Sequence, residues 1–491
     1  MLEPFSTAIL FLALALLLGI GALSSRASER AGIPLTLVFL LIGVAAGSEG
    51  IGRIPFDDYH FAFRLGSAAL VLILFDGGLN TPATVMRRAA LPASVLATAG
   101  VLGTALMFAT GARMIGMSWP AALLVGAVVS STDAAAVFSV LRGSGMQLKA
   151  RVGGTLEVES GLNDPMAVIL TMLLTQNLLH PGALTRWSVT LEIVRELALG
   201  VACGFGVAYA GRQVLERVRL PAGGLYPVLT LSFALFAFGA STALGGSGFL
   251  AVYLAGVILG NGRLPFRTSV LRVHDTLAWL GQIAMFLMLG LLVFPSRLWS
   301  VAASGFVLAA FLAIVARPLV VALCLAPFRY AKREIAYVGW VGLRGAVPIV
   351  LAIYPVLARA PGAERLFDLV FFIVVVNAVV PGASVRWVTR RLGLESEEPQ
   401  PAPAVLEIES RQALEGELLS YHVDEALDVT GVPLADLPFP DTAAVTMIVR
   451  GNRLIAPKGT TTLEPGDHVY VLASAEDRPF VQLMFGRPEE S

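Results

Sequence analysis

Apolar residues run in long blocks through the first four-fifths of the chain, with polar residues gathered in short intervals between them. A helix needs about 20 largely apolar residues to cross a bilayer. About thirteen runs reach or approach that length: 5–23, 32–48, 62–80, 91–112, 119–141, 152–179, 189–211, 224–243, 247–261, 274–294, 299–326, 334–358 and 366–388. The intervals alternate in charge. Loops after odd-numbered runs carry nineteen Lys and Arg, whereas the other side carries six: Arg53, Arg113, Arg186, Arg297, Arg359 and Arg365. Positive charge favours the cytoplasm, so the N-terminus is expected outside and the C-terminal part inside the cell membrane. The first run follows Met1-Leu2-Glu3-Pro4 without a basic segment, which reads as a retained helix rather than a cleaved signal.

Past position 391 the pattern changes. Residues 392–404, with Glu395-Ser396-Glu397-Glu398-Pro399-Gln400-Pro401, read as a linker. Strand-like runs follow at Leu418–Tyr421, Val445–Arg450, Leu454–Ile455 and His468–Leu472, with helices expected at Val423–Leu427 and Arg478–Phe485. The expected fold is an all-α polytopic membrane protein over 1–391 and a small cytoplasmic α+β domain over 405–491. So short a domain has a modest core, and pairing with a second copy is expected.

Composition agrees with that division. Of 491 residues, 56% are hydrophobic and 14% charged, and the mean hydropathy is +0.76. The net charge of zero conceals a split. Residues 1–391 hold 29 basic and 17 acidic groups, and the remainder hold 6 and 18, completing the 35 of each sign. An acidic soluble part argues against binding nucleic acid. Cys203 and Cys324 both lie in apolar runs, and the five histidines are scattered. A disulfide scaffold, a metal cluster and a resident cofactor are therefore not expected. No GxxxxGK[ST] occurs, so no ATP site is expected either.

The candidate chemistry lies inside the apolar runs. The sixth holds Glu159-Ser160-Gly161-Leu162-Asn163-Asp164-Pro165. A carboxylate at that depth faces a protein interior or a water path, and Asp164 has no basic residue within one turn. It reads as a protonatable cation site. The fifth run holds Ser130-Ser131-Thr132-Asp133 between two apolar halves, and the twelfth holds Gly342-Leu343-Arg344-Gly345-Ala346-Val347-Pro348. Ser, Thr and Asp are helix N-caps, so a second half-helix starts near Asp133. Paired interrupted helices in the two halves of a chain mark a secondary transporter built of inverted repeats. Simple kinks would explain the glycines but not Asp133 and Arg344 at the breaks. Arg317, deep in the eleventh run, needs an acidic partner, with Glu159 the obvious candidate. Asp76 either lines a cytoplasmic funnel or caps the third helix.

These residues resemble a known family. Glu159-Ser160-x-x-Asn163-Asp164, Ser131-Thr132-Asp133 and Gly342-Leu343-Arg344-Gly345-Ala346 are similar to the signatures of monovalent cation:proton antiporters. The branch is the one with Asn-Asp in the sixth helix, sodium/proton exchangers of the NhaP type. The tail, with Ile448-Val449-Arg450-Gly451, Leu454-Ile455-Ala456-Pro457-Lys458-Gly459 and Pro465-Gly466-Asp467, is similar to the C-terminal regulatory domain of potassium-conductance proteins (RCK-C or TrkA-C). The combination resembles potassium/proton exchangers of the cell-volume-regulation type.

The resemblance implies a homodimer that works by alternating access and exchanges K⁺ or Na⁺ for H⁺. Asp164 would be the shared carboxylate, Ser160 and the Thr132 carbonyl further ligands, and Asn163 a support, with Asp133 beside them. Glu159 would pair with a membrane arginine, for which Arg317 is suggested. Arg344 would neutralise the helix crossing next to Asp133. A nucleotide-type ligand on the tail is a further implication, as is a role in pH, potassium and volume homeostasis. Two alternatives belong to other classes. An RCK-regulated potassium channel needs TVGYG-like filter loops, which are absent. An intramembrane aspartyl protease could use Asp133 and Asp164, but leaves Arg344 without a role; no enzyme activity is expected.

Overall fold

The computed structural model describes residues 4, 8, 11–12, 15–23, 34–182, 185–396, 416–424, 427, 429–451, 453–474, 476–486 and 488. The expected linker therefore lies mostly outside the described residues, as does part of the first apolar run. The chain separates into two compact units, 1–396 and 397–491.

Among its described residues the first unit is built of helices. In chain order the helices are α1 (Leu35–Ala46), α2 (Tyr59–Asn80), α3 (Ala83–Met114), α4 (Trp119–Val128), α5 (Ala134–Arg142), α6 (Ala150–Leu179) and α7 (Arg186–Arg217). They continue with α8 (Leu225–Ala243), α9 (Gly248–Gly260), α10 (Arg267–Leu291), α11 (Pro295–Phe328), α12 (Lys332–Trp340), α13 (Val347–Leu357) and α14 (Ala363–Leu392). Among the described residues, six helices are long and apolar enough to cross a membrane by themselves: α2, α3, α7, α8, α11 and α14.

An internal repeat shows in the irregularities. α3 contains a five-residue π-turn at Leu96–Gly100, and α11 contains one at Leu312–Ala316. The pairs α4/α5 and α12/α13 are each one apolar run broken in the middle. α6 and α14 are both 30-residue helices with an internal proline, Pro165 and Pro381. A proline removes one ladder donor, yet each helix continues through it because neighbouring helices hold it.

By packing, the helices form two groups. α1, α2 and α7–α10 pack chiefly on one another, as do α3–α6 and α11–α14. Inside the first group the backbones touch. A Cβ on Gly256 would stand 2.6 Å from the Phe75 carbonyl, and one on Gly290 would stand 2.3 Å from the Leu40 carbonyl. Small residues permit that approach, which substitutes for a hydrophobic driving force in lipid.

Links between the groups are made by side chains. At one end Ser296 donates to Glu49 from its backbone nitrogen (2.7 Å) and its hydroxyl (2.5 Å). These bonds hold the Glu49 carboxyl below the usual range. The link is thus complete above the ordinary carboxylate pKa and is lost as pH falls through the lowered value. Tyr59 meets Phe367 edge-on nearby, with ring centroids 5.8 Å apart.

The second unit is a four-stranded antiparallel sheet in the order β1-β4-β2-β3, with β1 Glu417–His422, β2 Ala444–Arg450, β3 Arg453–Ile455 and β4 Asp467–Ala473. One helix, α15 (Arg478–Phe485), lays Val481 and Phe485 on Tyr421, Ile448, Val469 and Val471. Asp467 is buried and receives Arg450 Nε at 2.8 Å and Nη2 at 2.9 Å, a bidentate pair that locks the β2–β4 register. The helix expected at Val423–Leu427 does not begin there. Val423 extends the β1–β4 ladder, donating to the Asp467 carbonyl at 2.8 Å and accepting from Gly466 at 2.8 Å. Residues 425 and 426 lie outside the described set.

Candidate cation site

The site is built on the two breaks. A break in a buried helix leaves amides and carbonyls without intrahelical partners, and each must find another. Asp133 is the N-cap of α5, its Oδ1 accepting from Ala136 N at 3.2 Å. Its own amide donates to the Leu343 carbonyl in the other break, at 2.8 Å. Arg344 reaches back and donates from Nη1 to the carbonyls of Ser130 (3.1 Å) and Ser131 (2.8 Å). Its charge thus meets the negative end of α4, rather than forming an ion pair with Asp133. Gly345 must be glycine, since a Cβ there would lie 2.3 Å from Asp133 Oδ2.

α6 passes the first break and offers it three polar residues spaced to share one face. Ser160 Oγ accepts from Ala134 N at 3.2 Å. Asn163 Nδ2 donates to Thr132 Oγ1 at 2.6 Å and more weakly to the Thr132 carbonyl at 3.3 Å. Ser131 donates to Asp164 Oδ1 at 2.5 Å. Pro165 has no amide hydrogen, so the Gly161 carbonyl lacks its usual donor. Gly161 in turn admits Tyr253 of α9, whose ring would lie 2.5 Å from any Cβ there.

Glu159 belongs to another environment. It is wholly buried and pairs with Arg317 of α11 at 2.5 Å. Asp164 instead lines a cavity of about 900 Å³ between the helix groups. Its walls include Asp76, Tyr253, Asp275 and Gln282 from the first group, with Ser131, Asp133, Glu157 and Ser160 from the second. The lining extends to Arg142, Gln147, Leu148 and Arg386 at one end of the bundle, and includes neither Glu49 nor Ser296 at the other. Asp76 is a wall residue, accepting from Asn80 Nδ2 at 3.0 Å, while Thr81 takes the C-cap position of α2.

Ser131, Glu157, Thr81 and Tyr253 were not singled out from sequence. Glu157 carried a readable signal, standing seven residues before Asp164 on the same helical face. Ser131 was quoted within its motif, but nothing there told which of two adjacent serines would turn toward Asp164. Tyr253 is a single aromatic in an apolar run, and only the packing of α9 on α6 brings it in.

Charged groups at the crossing of two broken helices, beside a cavity between two helix groups, define a secondary transporter. Residues 12–391 match the family described as "Sodium/hydrogen exchanger, transmembrane", and residues 420–479 match the TrkA-C domain. The chain is 41% identical over 485 residues to the K(+)/H(+) antiporter NhaP2 of Shewanella sp. (strain ANA-3), covering 98% of this chain and 84% of that one. It is 39% identical over 497 residues to the K(+)/H(+) antiporter NhaP of Alkalimonas amylolytica, covering 100% and 85%. The fold is similar to that of the sodium proton antiporter MjNhaP1 from Methanocaldococcus jannaschii, with a TM-score of 0.68 and 22% identity over 79% of this chain and 99% of that one. The chain belongs to the sodium/hydrogen exchanger family and is a cation/proton antiporter. The channel and protease alternatives find no support in these likenesses.

The Glu159–Arg317 pair yields a test of stability. Arg317→Ala leaves a buried carboxylate without its partner, a change that costs about 3–5 kcal/mol in other proteins. The purified variant should melt well below the parent, and adding Glu159→Gln should recover part of the loss. Equal melting temperatures for parent and Arg317→Ala would show that the pair contributes little.

Proposed function

We propose that the protein exchanges potassium for protons across the inner membrane, one for one, with both ions competing for Asp164. The observation that carries this reading is the position of Asp164, on the cavity wall and hydrogen-bonded by Ser131. Alkali cations are hard and prefer oxygen ligands, as Ca²⁺ and Mg²⁺ do. Asp164, Ser131, Ser160 and the free Gly161 carbonyl supply carboxylate, hydroxyl and backbone oxygens, with Asn163 holding the Thr132 segment in place. An unpaired charge is costly to carry through a low-dielectric barrier, so a site loaded with either ion crosses more easily than an empty one. Exchange follows from that competition. Potassium is favoured by the names of the two relatives that span nearly the whole chain.

In this reading the cavity faces the cytoplasm, because its mouth carries Arg142 and Arg386. Asp76 lines the approach to the site. Asp133 and Arg344 hold the crossing, and Glu159 is engaged by Arg317. Residues 1–391 carry transport, 392–404 connect, and 405–491 form a cytoplasmic regulatory domain that pairs within a homodimer and takes a nucleotide-type ligand.

Three outcomes are expected in proteoliposomes. Asp164→Asn should abolish K⁺-driven proton release while the purified variant keeps the parent's melting curve. Proton release by that variant near the parent's rate would remove Asp164 from its role. An imposed membrane potential should leave the parent's rate unchanged, since one titrating carboxylate exchanges one charge for another. A rate that follows the sign of the potential would mean a second group titrates. Deleting 405–491 should preserve exchange but shift its dependence on pH or ligand. An unchanged profile with a lower melting temperature would make the tail a stabilising element instead.

A further inference from the structure

α6 carries a second carboxylate along its cavity face. Glu157 lies seven residues before Asp164, which is two helical turns, or about 10.5 Å of rise. Both residues line the same cavity, and Ser160 and Gly161 stand between them. Glu157 is half-buried, and its side-chain hydrogen bond among the described residues comes from Thr81, whose Oγ1 lies 3.1 Å from Glu157 Oε1.

That bond is short of hydrogens. The Thr81 hydroxyl also lies 2.7 Å from the Gly77 carbonyl. A hydroxyl has one proton to give, and the shorter contact has the better claim on it. Thr81 then faces Glu157 oxygen to oxygen. The buried Tyr253 hydroxyl interacts with Thr81 and stands near Glu157, but among the described residues its geometry completes no full hydrogen bond. A carboxylate and two hydroxyls therefore converge at one point, an all-oxygen donor set that suits a hard alkali cation.

The surrounding charge has the matching sign. Asp76 and Asp275 face the same cavity, and the basic groups on its wall, Arg142 and Arg386, belong to its mouth. The position is also mechanical. Thr81 ends α2 in the first helix group, whereas Glu157 rides on α6 in the second, so an ion held between them bridges the two.

We propose that Glu157, Thr81 and Tyr253 form a second alkali-cation station, two turns along α6 from Asp164 and nearer the cavity mouth. This inference rests on the exchange reading of the cavity. An ion there is held by one carboxylate and two hydroxyls and passes to Asp164 along the Ser160 face. The station raises the local concentration of cation without itself coupling the cation to the proton.

The test uses the full-length chain in proteoliposomes with K⁺ as the driving ion. Glu157→Gln should raise the KM for K⁺ about tenfold, the equivalent of losing one charge-assisted ligand. Tyr253→Phe should raise it less, in the same direction. Binding of ⁸⁶Rb⁺ to purified Asp164→Asn gives a readout independent of turnover. Saturable binding should persist there and vanish when Glu157→Gln is added. Two results would overturn the station. One is a KM within twofold of the parent in both single variants. The other is complete loss of exchange by Glu157→Gln at saturating K⁺, which would make Glu157 a coupling group instead. If Glu157→Gln does not reach the membrane, Tyr253→Phe and the ⁸⁶Rb⁺ comparison with Tyr253→Phe in its place decide the question. A parent chain without exchange would overturn the reading of the cavity, while the ⁸⁶Rb⁺ measurement would still judge the station.

Discussion

Breaking a helix inside an apolar bundle frees backbone groups that no water can reach, and most of this architecture answers that one constraint. Two breaks placed side by side solve it reciprocally. The amide of Asp133 goes to Leu343, the Asp133 carboxylate to the start of α5, and Arg344 to the carbonyls that end α4. Opposite charges thus sit at half-helix ends of opposite polarity. Because the crossing is internally satisfied, the next helix can present Asp164 to it with a single hydroxyl donor.

The division into two helix groups follows from different kinds of contact. Within the first group, glycines bring backbones together at Gly78, Gly256 and Gly260 on one seam and at Gly43 and Gly290 on another. Such contacts resist sliding, because no side chain can give way. Between the groups the links are side-chain contacts, such as Glu49–Ser296, Thr81–Glu157 and Tyr59–Phe367. These can be exchanged for others at little cost. A cavity along the softer seam is where one expects relative motion.

Much of the fold was legible because membrane segments are defined by length and apolarity, both of which are local properties. The apolar runs from the second to the thirteenth coincide with helices or broken pairs. The break at 130–133 could be read from cap residues, and the one at 342–348 from glycines with a buried arginine. The tail helix at Arg478–Phe485 was equally plain, whereas Val423 was misread because its role comes from pairing with distant β4. The site was only partly legible. Asp164 announced itself by its depth, but the turn of Ser131 toward it depends on how the broken segment lies across α6. Thr81 and Tyr253 gave no local signal, since what matters about them is which helix α6 meets.

One modest contact at the end of α14 reaches the helix that carries the site. The chain leaving that helix pairs briefly with the loop before α6. Lys149 donates to the Leu394 carbonyl at 3.0 Å, Ser396 donates to that of Gln147 at 2.8 Å, and Leu148 bridges Glu395. The end of α14 and the start of α6 are therefore moored to one another. A shift of α14 along its axis is passed to the few residues on which the Asp164 helix is hung, as through a short strut.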